Sequence, residues 1–300
     1  MKDLLNKIKE HAFTKKFPQP PFGKNGWPWS DVSIPKKDIV RKKLPKVSIV
    51  TPSYNQGRFI EETIRSVLLQ EYENLEYIII DGESKDQSVK IIKKYEKWIS
   101  YWVSEPDRNQ SNAINKGFRH ATGDIFGWLN SDDIFTPNAI SKIVELREKF
   151  PDAIAWSGSA EKIDLEGNSL GVYNARPGTA KDFGNFGHSA CVYQPSTLID
   201  SKAFEKVGGI NEELEIGLDV ELWIKLAAIG SFACTDEVIS VIKMYPEAKH
   251  LENPLATYSE LISINQKYGF SDLAQKWLLF FAEKYKEGNI VLEIKEKQKG

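Results

Sequence analysis

Apolar and polar positions in the middle of the chain switch between two periods. Residues 47–51, Val47-Ser48-Ile49-Val50-Thr51, form a short apolar run stopped by Pro52 and a polar turn, the pattern of a buried strand. Over residues 59–69 the apolar positions recur as Phe59, Ile60, Ile64, Val67 and Leu68, one face of a helix. Tyr77-Ile78-Ile79-Ile80 predicts a second strand, closed by Asp81-Gly82. Asp86 reads as the N-cap of a helix over residues 89–98. A short strand at 101–103, a helix over 112–120 and a strand at 125–129 follow, the last ending in Asn130-Ser131-Asp132-Asp133. Pro137 then opens a helix that runs to Phe150. This alternation through short loops predicts an α/β fold, a mostly parallel central sheet with helices on both faces. Such sheets bind ligands beyond the carboxyl ends of their strands. The polar residues collect there, at 51–55, at Asp81 and at 130–133.

The flanks have another character. Residues 1–45 are rich in Lys and Pro, with Phe22, Trp27 and Trp29 among the prolines, which predicts extended chain pinned by aromatics onto the body. Residues 251–300 read as a helical tail. The 300 residues are 41% apolar and 27% charged, which excludes disorder as the main state. Cys191 and Cys234 are the only cysteines, so a disulfide scaffold and thiolate metal centres are excluded. The longest strongly apolar run, 277–282, falls short of the about 20 residues of a membrane span. Residues 1–5 lack a signal-peptide pattern, and the expected location is cytoplasmic. The net charge of −2 hides an asymmetry: residues 1–46 hold 12 Lys and Arg against 4 Asp and Glu, leaving 28 against 38 for the rest. A basic arm on an acidic body argues against nucleic-acid binding by the body. The arm suits an anionic membrane surface or is a solvated tail.

The strand tips carry the candidate chemistry. There is no GxxxxGK[ST], no GxGxxG after a strand, no HExxH and no GxSxG. Without a glycine cradle, the phosphates of a bound nucleotide need another partner, and a divalent metal held by a carboxylate is the simple one. Asp132 and Asp133 follow a strand directly and could point a carboxylate at such a metal, or cap a turn or the next helix. Asp81 could accept the imide N–H of a uracil or thymine ring with Tyr54 packed beside it, or form an Asx turn.

Taken in order, Thr51-Pro52-Ser53-Tyr54-Asn55, the Asp81–Asp86 segment, Asn109-Gln110-Ser111-Asn112-Ala113-Ile114-Asn115-Lys116-Gly117, Ala121-Thr122-Gly123-Asp124 and Trp128-Leu129-Asn130-Ser131-Asp132-Asp133 resemble the family 2 glycosyltransferases, which have the GT-A fold. Gln194-Pro195-Ser196-Thr197, Val207-Gly208-Gly209-Ile210-Asn211-Glu212 and Gly217-Leu218-Asp219-Val220-Glu221-Leu222-Trp223 agree, so the resemblance covers about residues 46–245. It implies a GT-A domain over 46–250, with a nucleotide-binding half at 46–135 and an acceptor half at 136–250. The implied activity is inverting transfer of a sugar from a nucleoside diphosphate sugar, a UDP- or dTDP-sugar, to a hydroxyl of a glycan or lipid-linked acceptor. Thr51, Pro52, Tyr54, Asn55, Asp81 and Ser84 match the base-binding positions. Gln110 and Asn115 face the nucleotide and donor sugar. Asn130, Ser131 and Asp132 stand at the family's DxD, where Asp132 meets Mn²⁺ or Mg²⁺. Asp219 matches the catalytic base, although helix capping is its reading without the family. His188, Gln194 and Trp223 fall on the acceptor side.

Two departures stand out. Asn130 replaces the first Asp of the DxD, and Tyr245 stands where members often carry a His. His250 is near enough in sequence to substitute as a metal ligand, or is a surface His. A sugar-phosphate nucleotidyltransferase would need a Gly-rich, Arg-containing loop where Pro52-Ser53-Tyr54-Asn55-Gln56-Gly57 stands. A non-catalytic carbohydrate-binding scaffold is supported by Asn130 and Tyr245 and opposed by Asp81, Asp132 and Asp219. The expected partners are the donor, the glycan acceptor and, peripherally, the inner face of a membrane, with the chain a monomer or homodimer.

Overall fold

The computed structural model describes residues 17–31, 44–185, 190–246 and 253–286. The apolar runs form strands β1 (Val47–Ser53) and β2 (Leu75–Asp81), paired in parallel with Val47 opposite Leu75 and Ser53 opposite Asp81. β3 (Tyr101–Ser104) adds outside β2, and β4 (Ile125–Trp128) adds on the other side of β1, both parallel. The two-residue period of a strand sends Val47, Ile49, Tyr77 and Ile79 to one face and Val50, Ile78 and Ile80 to the other. Each face has its own core. Helices α1 (Ile60–Leu68) and α2 (Ser88–Tyr95) cover the first face, and α3 (Gln110–His120) covers the second. α4 (Ala139–Lys149) returns to the first through Ile140, Ile143 and Val144. The helix expected over 89–98 ends as a 3₁₀ turn, Glu96–Trp98. α3 lies so close to β1 that a Cβ on Gly117 would stand 2.3 Å from Val50 Cγ1, which is why that position is bare.

Beyond β4 the sheet continues through β5 (Ile134–Phe135), β6 (Ala153–Ile163), β7 (Ser169–Tyr173), β8 (Thr197–Asp200) and β9 (Ser231–Lys243). The order is β3-β2-β1-β4-β8-β6-β9-β5, with β7 on β6. β8 runs antiparallel to β4 and β6, and β5 antiparallel to β9, whereas β9 is parallel to β6. The sheet is thus parallel in the first half and mixed in the second. Helices α5 (Ala180–Gly184), α6 (Ser201–Lys206) and α7 (Leu218–Ala227) pack on the second face. The tail folds as α8 (Pro254–Lys267) and α9 (Ser271–Lys286), whose Leu261, Ile264 and Trp277 join the same core.

The segment 17–31 lies against the first face. Phe17 and Trp29 are buried, and Trp27 Nε1 donates to the Phe135 carbonyl at 2.7 Å. Arg65 is the pin. It is 4% exposed, and its guanidinium donates to the carbonyls of Pro18, Pro28 and Trp29 and to the Tyr95 hydroxyl. A buried cation left without those acceptors would be costly. No helix among the described residues is long and apolar enough to cross a membrane.

Candidate active site

A cleft of about 730 Å³ opens at the carboxyl ends of β1, β2 and β4, where the sequence placed its polar tips. Pro52, Tyr54, Gln110, Asn130, Ser131 and Asp132, six of the residues the resemblance assigns to the nucleotide sugar, line it. Tyr54 is 63% exposed at its mouth. Behind them stands a supporting layer. Thr51 is fully buried and accepts from the Tyr77 hydroxyl at 3.0 Å. Asn55 takes a left-handed backbone (φ 53°), its N–H donates to Ser84 Oγ, and its Oδ1 accepts from the Lys85 N–H. That pair ties the loops after β1 and β2 together. Asp86 does the same from the other end, accepting from the N–H groups of Gly57 and Ser88. It stands one residue before the N-cap position, which is Gln87.

Asp81 is fully buried and does not line the cleft. Its carboxylate accepts from Ser84 N (2.9 Å), Ser84 Oγ (2.6 Å) and Ser104 Oγ (2.7 Å), so it builds the turn that carries Ser84. Asp107, which sequence reading passed over, lines the cleft beside Tyr54 and Gly82. Lys116 Nζ is 2.7 Å from its Oδ1, and Oδ2 has no hydrogen-bond partner among the described residues. Burial pushes this carboxyl up, Lys116 opposes, and the charges of Glu105 and Asp81 add to the rise. A Cβ on Gly82 would stand 3.3 Å from the Tyr54 ring and 3.5 Å from Asp107 Oδ2. Ring, carboxylate and bare backbone therefore form one recess. Ser53 Oγ, also on the cleft wall, is a second buried polar atom with no partner among the described residues.

Asn130 is the hub of an amide network. It accepts from Gln110 Nε2 at 2.8 Å and donates to Gln194 Oε1 at 3.0 Å and Asp133 Oδ2 at 3.2 Å. Gln194 is buried behind it and donates to the Trp128 carbonyl. Asp133 is 5% exposed. Burial and the neighbouring Asp132 charge drive its carboxyl well up, against Lys243 and Asn130. Asp132 is half-buried, and its Oδ2 accepts the Tyr245 hydroxyl at 2.5 Å. Tyr245, one of the two departures from the family pattern, thus meets Asp132 directly. Lys243 donates to the Asp132 carbonyl (2.9 Å) and pairs with Glu62 (3.1 Å). Lys243, Lys85 and Arg108 place three cations on the cleft wall, beside the carboxylate at which the sequence reading expected a divalent metal.

Among the described residues no group of three or more His, Cys, Asp and Glu is arranged to hold a metal. Mg²⁺ or Mn²⁺ ordinarily needs only one or two carboxylates when substrate phosphates supply the rest. Asp132, on the cleft wall with Asp133 behind it, fits that requirement.

Asp219 is the second residue of α7, after the N-cap position Gly217, and it is not among the cleft-lining residues. Burial pushes its carboxyl up to about 6, although hydrogen bonds from the backbone N–H groups of Val220 and Asp219 pull the other way. The Val220 bond is 2.8 Å. Asn115 is occupied: its amide donates to the Ile210 carbonyl (2.8 Å) and Glu212 Oε1 (3.0 Å), and it faces the 210–212 loop. Trp223 is 1% exposed and stacks on Trp128 at 5.9 Å, so its ring belongs to the core. His188 and His250 lie outside the described residues.

The profile of Glycosyl transferase family 2 matches residues 48–208, more than half of the chain. An uncharacterized glycosyltransferase of Rickettsia prowazekii (strain Madrid E) is 30% identical over 83% of this chain and 76% of its own length. Across the rickettsial relatives the chain spans from about a third to about three quarters of their length. Among solved structures, a mannosyltransferase from Pyrobaculum calidifontis in complex with GDP-Man and Mn²⁺ superposes with a TM-score of 0.58 at 20% identity, over 76% of this chain and 65% of that one. TarS 1-349 of S. aureus in complex with UDP-GlcNAc gives 0.58 at 16%, over 73% and 64%. At those identities the solved structures speak for the GT-A fold alone. The profile and the rickettsial relative show the family: the chain belongs to glycosyl transferase family 2.

Proposed function

We propose that the protein transfers a sugar from a nucleoside diphosphate sugar to a hydroxyl, with inversion at the anomeric carbon. The observation that carries this reading is the cleft at the strand tips, with Asp132, three cations and the Tyr54–Gly82–Asp107 recess on its walls. The base, uracil or thymine, lies over Gly82 beside Tyr54, and Asp107 accepts its imide N–H. Asp81 shapes that recess through Ser84. Arg108, Lys85 and Lys243 meet the diphosphate. Mn²⁺ or Mg²⁺ bound at Asp132 would add charge stabilisation to the departing diphosphate. Asp219 takes the proton of the acceptor hydroxyl as that oxygen bonds to the anomeric carbon and the bond from this carbon to the diphosphate oxygen breaks, its electron pair leaving with the diphosphate. A carboxyl near 6 suits a base that works at neutral pH.

The nucleoside diphosphate sugars held by the two solved relatives support a donor of this class. The acceptor is a glycan or lipid-linked glycan, reached at the inner face of a membrane. Support for that site of action is the outer face of α9, where Leu278, Leu279 and Phe280 are exposed beside Lys284 and Lys286.

The test is a panel of UDP-, dTDP- and GDP-sugars, each with and without Mn²⁺, read by thermal shift and donor hydrolysis. A ligand that binds only the folded state raises the melting point. The expected result is a metal-enhanced shift for a uridine or thymidine nucleotide sugar. A flat response across the panel would sink the transferase reading in favour of a scaffold.

A further inference from the structure

The residues that lead into Asp219 are gripped from two sides. On one side is α3, whose Gln110 lines the cleft. Glu212 accepts from the amides of Asn112 (2.9 Å) and Asn115 (3.0 Å) and pairs with Arg108. Burial would raise this carboxyl, but the Asn115 and Asn112 amides and Arg108 outweigh it and hold it low. Ser111 Oγ donates to the Leu214 carbonyl at 2.8 Å, and Asn109 Nδ2 to that of Glu212 at 2.8 Å. The loop is thereby fixed to the donor side of the cleft.

On the other side is α8, beyond the segment the family profile matches. The N–H groups of Glu215 (2.9 Å), Ile216 (2.9 Å) and Gly217 (2.7 Å) all donate to the carboxylate of Glu260. These three consecutive donors run straight into the first turn of α7, where backbone N–H groups lack intrahelical partners. The approach is close. A Cβ on Gly217 would stand 2.7 Å from Ile264 Cδ1 and 3.5 Å from Glu260 Oε2, so the start of α7 lies directly against α8. One turn into α7, Glu221, 1% exposed, accepts from Lys267 Nζ (2.6 Å) and Tyr268 hydroxyl (3.2 Å). That second contact docks α8 on α7 without touching the 215–217 loop.

We propose that Glu260 is a positioning residue for Asp219: a carboxylate from the C-terminal helices that fixes the start of α7 and so sets where the base stands relative to the donor. Charge-assisted bonds from one carboxylate to three adjacent N–H groups form a stiffer tie than neutral contacts would. A base displaced by even about 1 Å loses on the order of 100-fold in rate. The tail is then part of the catalytic apparatus by geometry, although none of it touches substrate.

The inference rests on Asp219 being the base, and the experiment separates the two. In the full chain, the Asp219 carboxyl is followed by ¹³C NMR of labelled aspartate, assigned with Asp219→Asn, alongside donor KM and kcat for the nucleotide sugar that the panel identifies. Glu260→Ala is expected to lower kcat at least tenfold with donor KM within twofold, and to move the Asp219 titration towards the ordinary carboxylate value. Glu260→Gln, which keeps an acceptor oxygen, is expected to fall between. Lys267→Met, which cuts only the contact to Glu221, is expected to lower the melting point with kcat and the Asp219 titration unchanged. Wild-type kcat and titration in Glu260→Gln and Glu260→Ala would overturn the proposal. Should Glu260→Ala fail to fold, wild-type values in Glu260→Gln alone overturn it. An equal loss of kcat in Lys267→Met would also overturn it, because general docking of α8 would then explain the effect. Full transfer by Asp219→Asn would remove the base and this proposal with it.

Discussion

Asp219 shows how one carboxylate, in the role proposed for it, would carry both an activity and a cost. Its pKa of about 6 lies above the ordinary value of 3.8. A carboxyl raised in the folded state binds its proton more tightly there than in the unfolded chain, so stability falls as pH rises from about 4 through about 6. At pH 7 that cost is at most about 3 kcal/mol. Asp219→Asn is therefore expected to raise the melting point at pH 7 and to leave it unchanged near pH 3, while kcat falls 10²–10⁴-fold. A variant that transfers sugar normally, or that melts lower at pH 7, contradicts the role. Asp107 holds the second proposed role. Asp107→Asn is expected to weaken UDP binding by about 10- to 100-fold, the value of a hydrogen bond to a charged acceptor, measured by calorimetry against CDP, which has no imide N–H to lose. Equal losses for both nucleotides would mean that Asp107 only holds Lys116. Asp81 was legible in the sequence because it ends an apolar strand. Asp107, in a Pro-Asp-Arg loop, looks like any turn acid. Its place on the cleft wall comes from Gly82 and Tyr54, about 25 and 53 residues upstream, and no local pattern encodes that.

At the scale of elements, the parallel half was readable because each strand is a continuous apolar run and each helix has one apolar face. Both signals come from local burial. The mixed half was not. β6 and β9 carry Ser, Glu and Lys among their apolar residues, and their neighbours are chosen by crossovers tens of residues long. The Arg65 pin was equally hidden, since an Arg in an amphipathic helix reads as surface until the 17–31 segment covers it. One polar clamp holds the foot of the parallel half. Glu76 on β2 accepts from Lys46 Nζ (2.6 Å), Ser48 Oγ (2.6 Å), and Thr122 N (2.7 Å) and Oγ1 (2.8 Å), joining the entries of β1 and β4. Burial would raise its carboxyl, but these bonds win and bring it down to about 2. A depressed carboxyl gives stability that is complete above about 4.5 and disappears as pH falls towards 2. The shift corresponds to about 3 kcal/mol at most. Lys46 is a third exposed, and screening reduces this to about 1–2 kcal/mol. Glu76→Gln should be less stable than wild type at pH 7 by that amount, measured by urea unfolding, and the gap should close between pH 4.5 and 2. A gap that persists at pH 2 would point to packing instead of charge.

For the whole molecule the question is where it meets its acceptor. The net charge of −2 by itself favours no surface, and the basic excess of residues 1–46 falls largely outside the described residues. The tail gives a more specific handle. α9 buries Leu273, Ala274 and Trp277 against the body, and Trp277 Nε1 donates to the Gly184 carbonyl at 3.1 Å. Leu278 (53% exposed), Leu279 (62%) and Tyr285 (47%) then face outward. A helix apolar on both sides has a second surface to cover, and Lys284 and Lys286 at its end match an anionic lipid headgroup layer. Each Lys near such a surface contributes about 1 kcal/mol, screened within about 8–10 Å at ordinary salt. The expected outcome is that the protein sediments with vesicles rich in phosphatidylglycerol at low salt, and less with phosphatidylcholine vesicles or at 0.5 M salt, a condition of roughly 4–5 Å screening length. Leu278→Glu with Leu279→Glu should abolish sedimentation while leaving the melting point and donor hydrolysis unchanged, because both side chains point away from the core and the cleft. If the double variant binds vesicles as wild type does, α9 is not the contact and the basic N-terminal residues are the remaining candidate. If wild type stays in the supernatant with anionic vesicles at low salt, the membrane-facing reading falls, and the outward leucines are then a surface for another protein or a second copy.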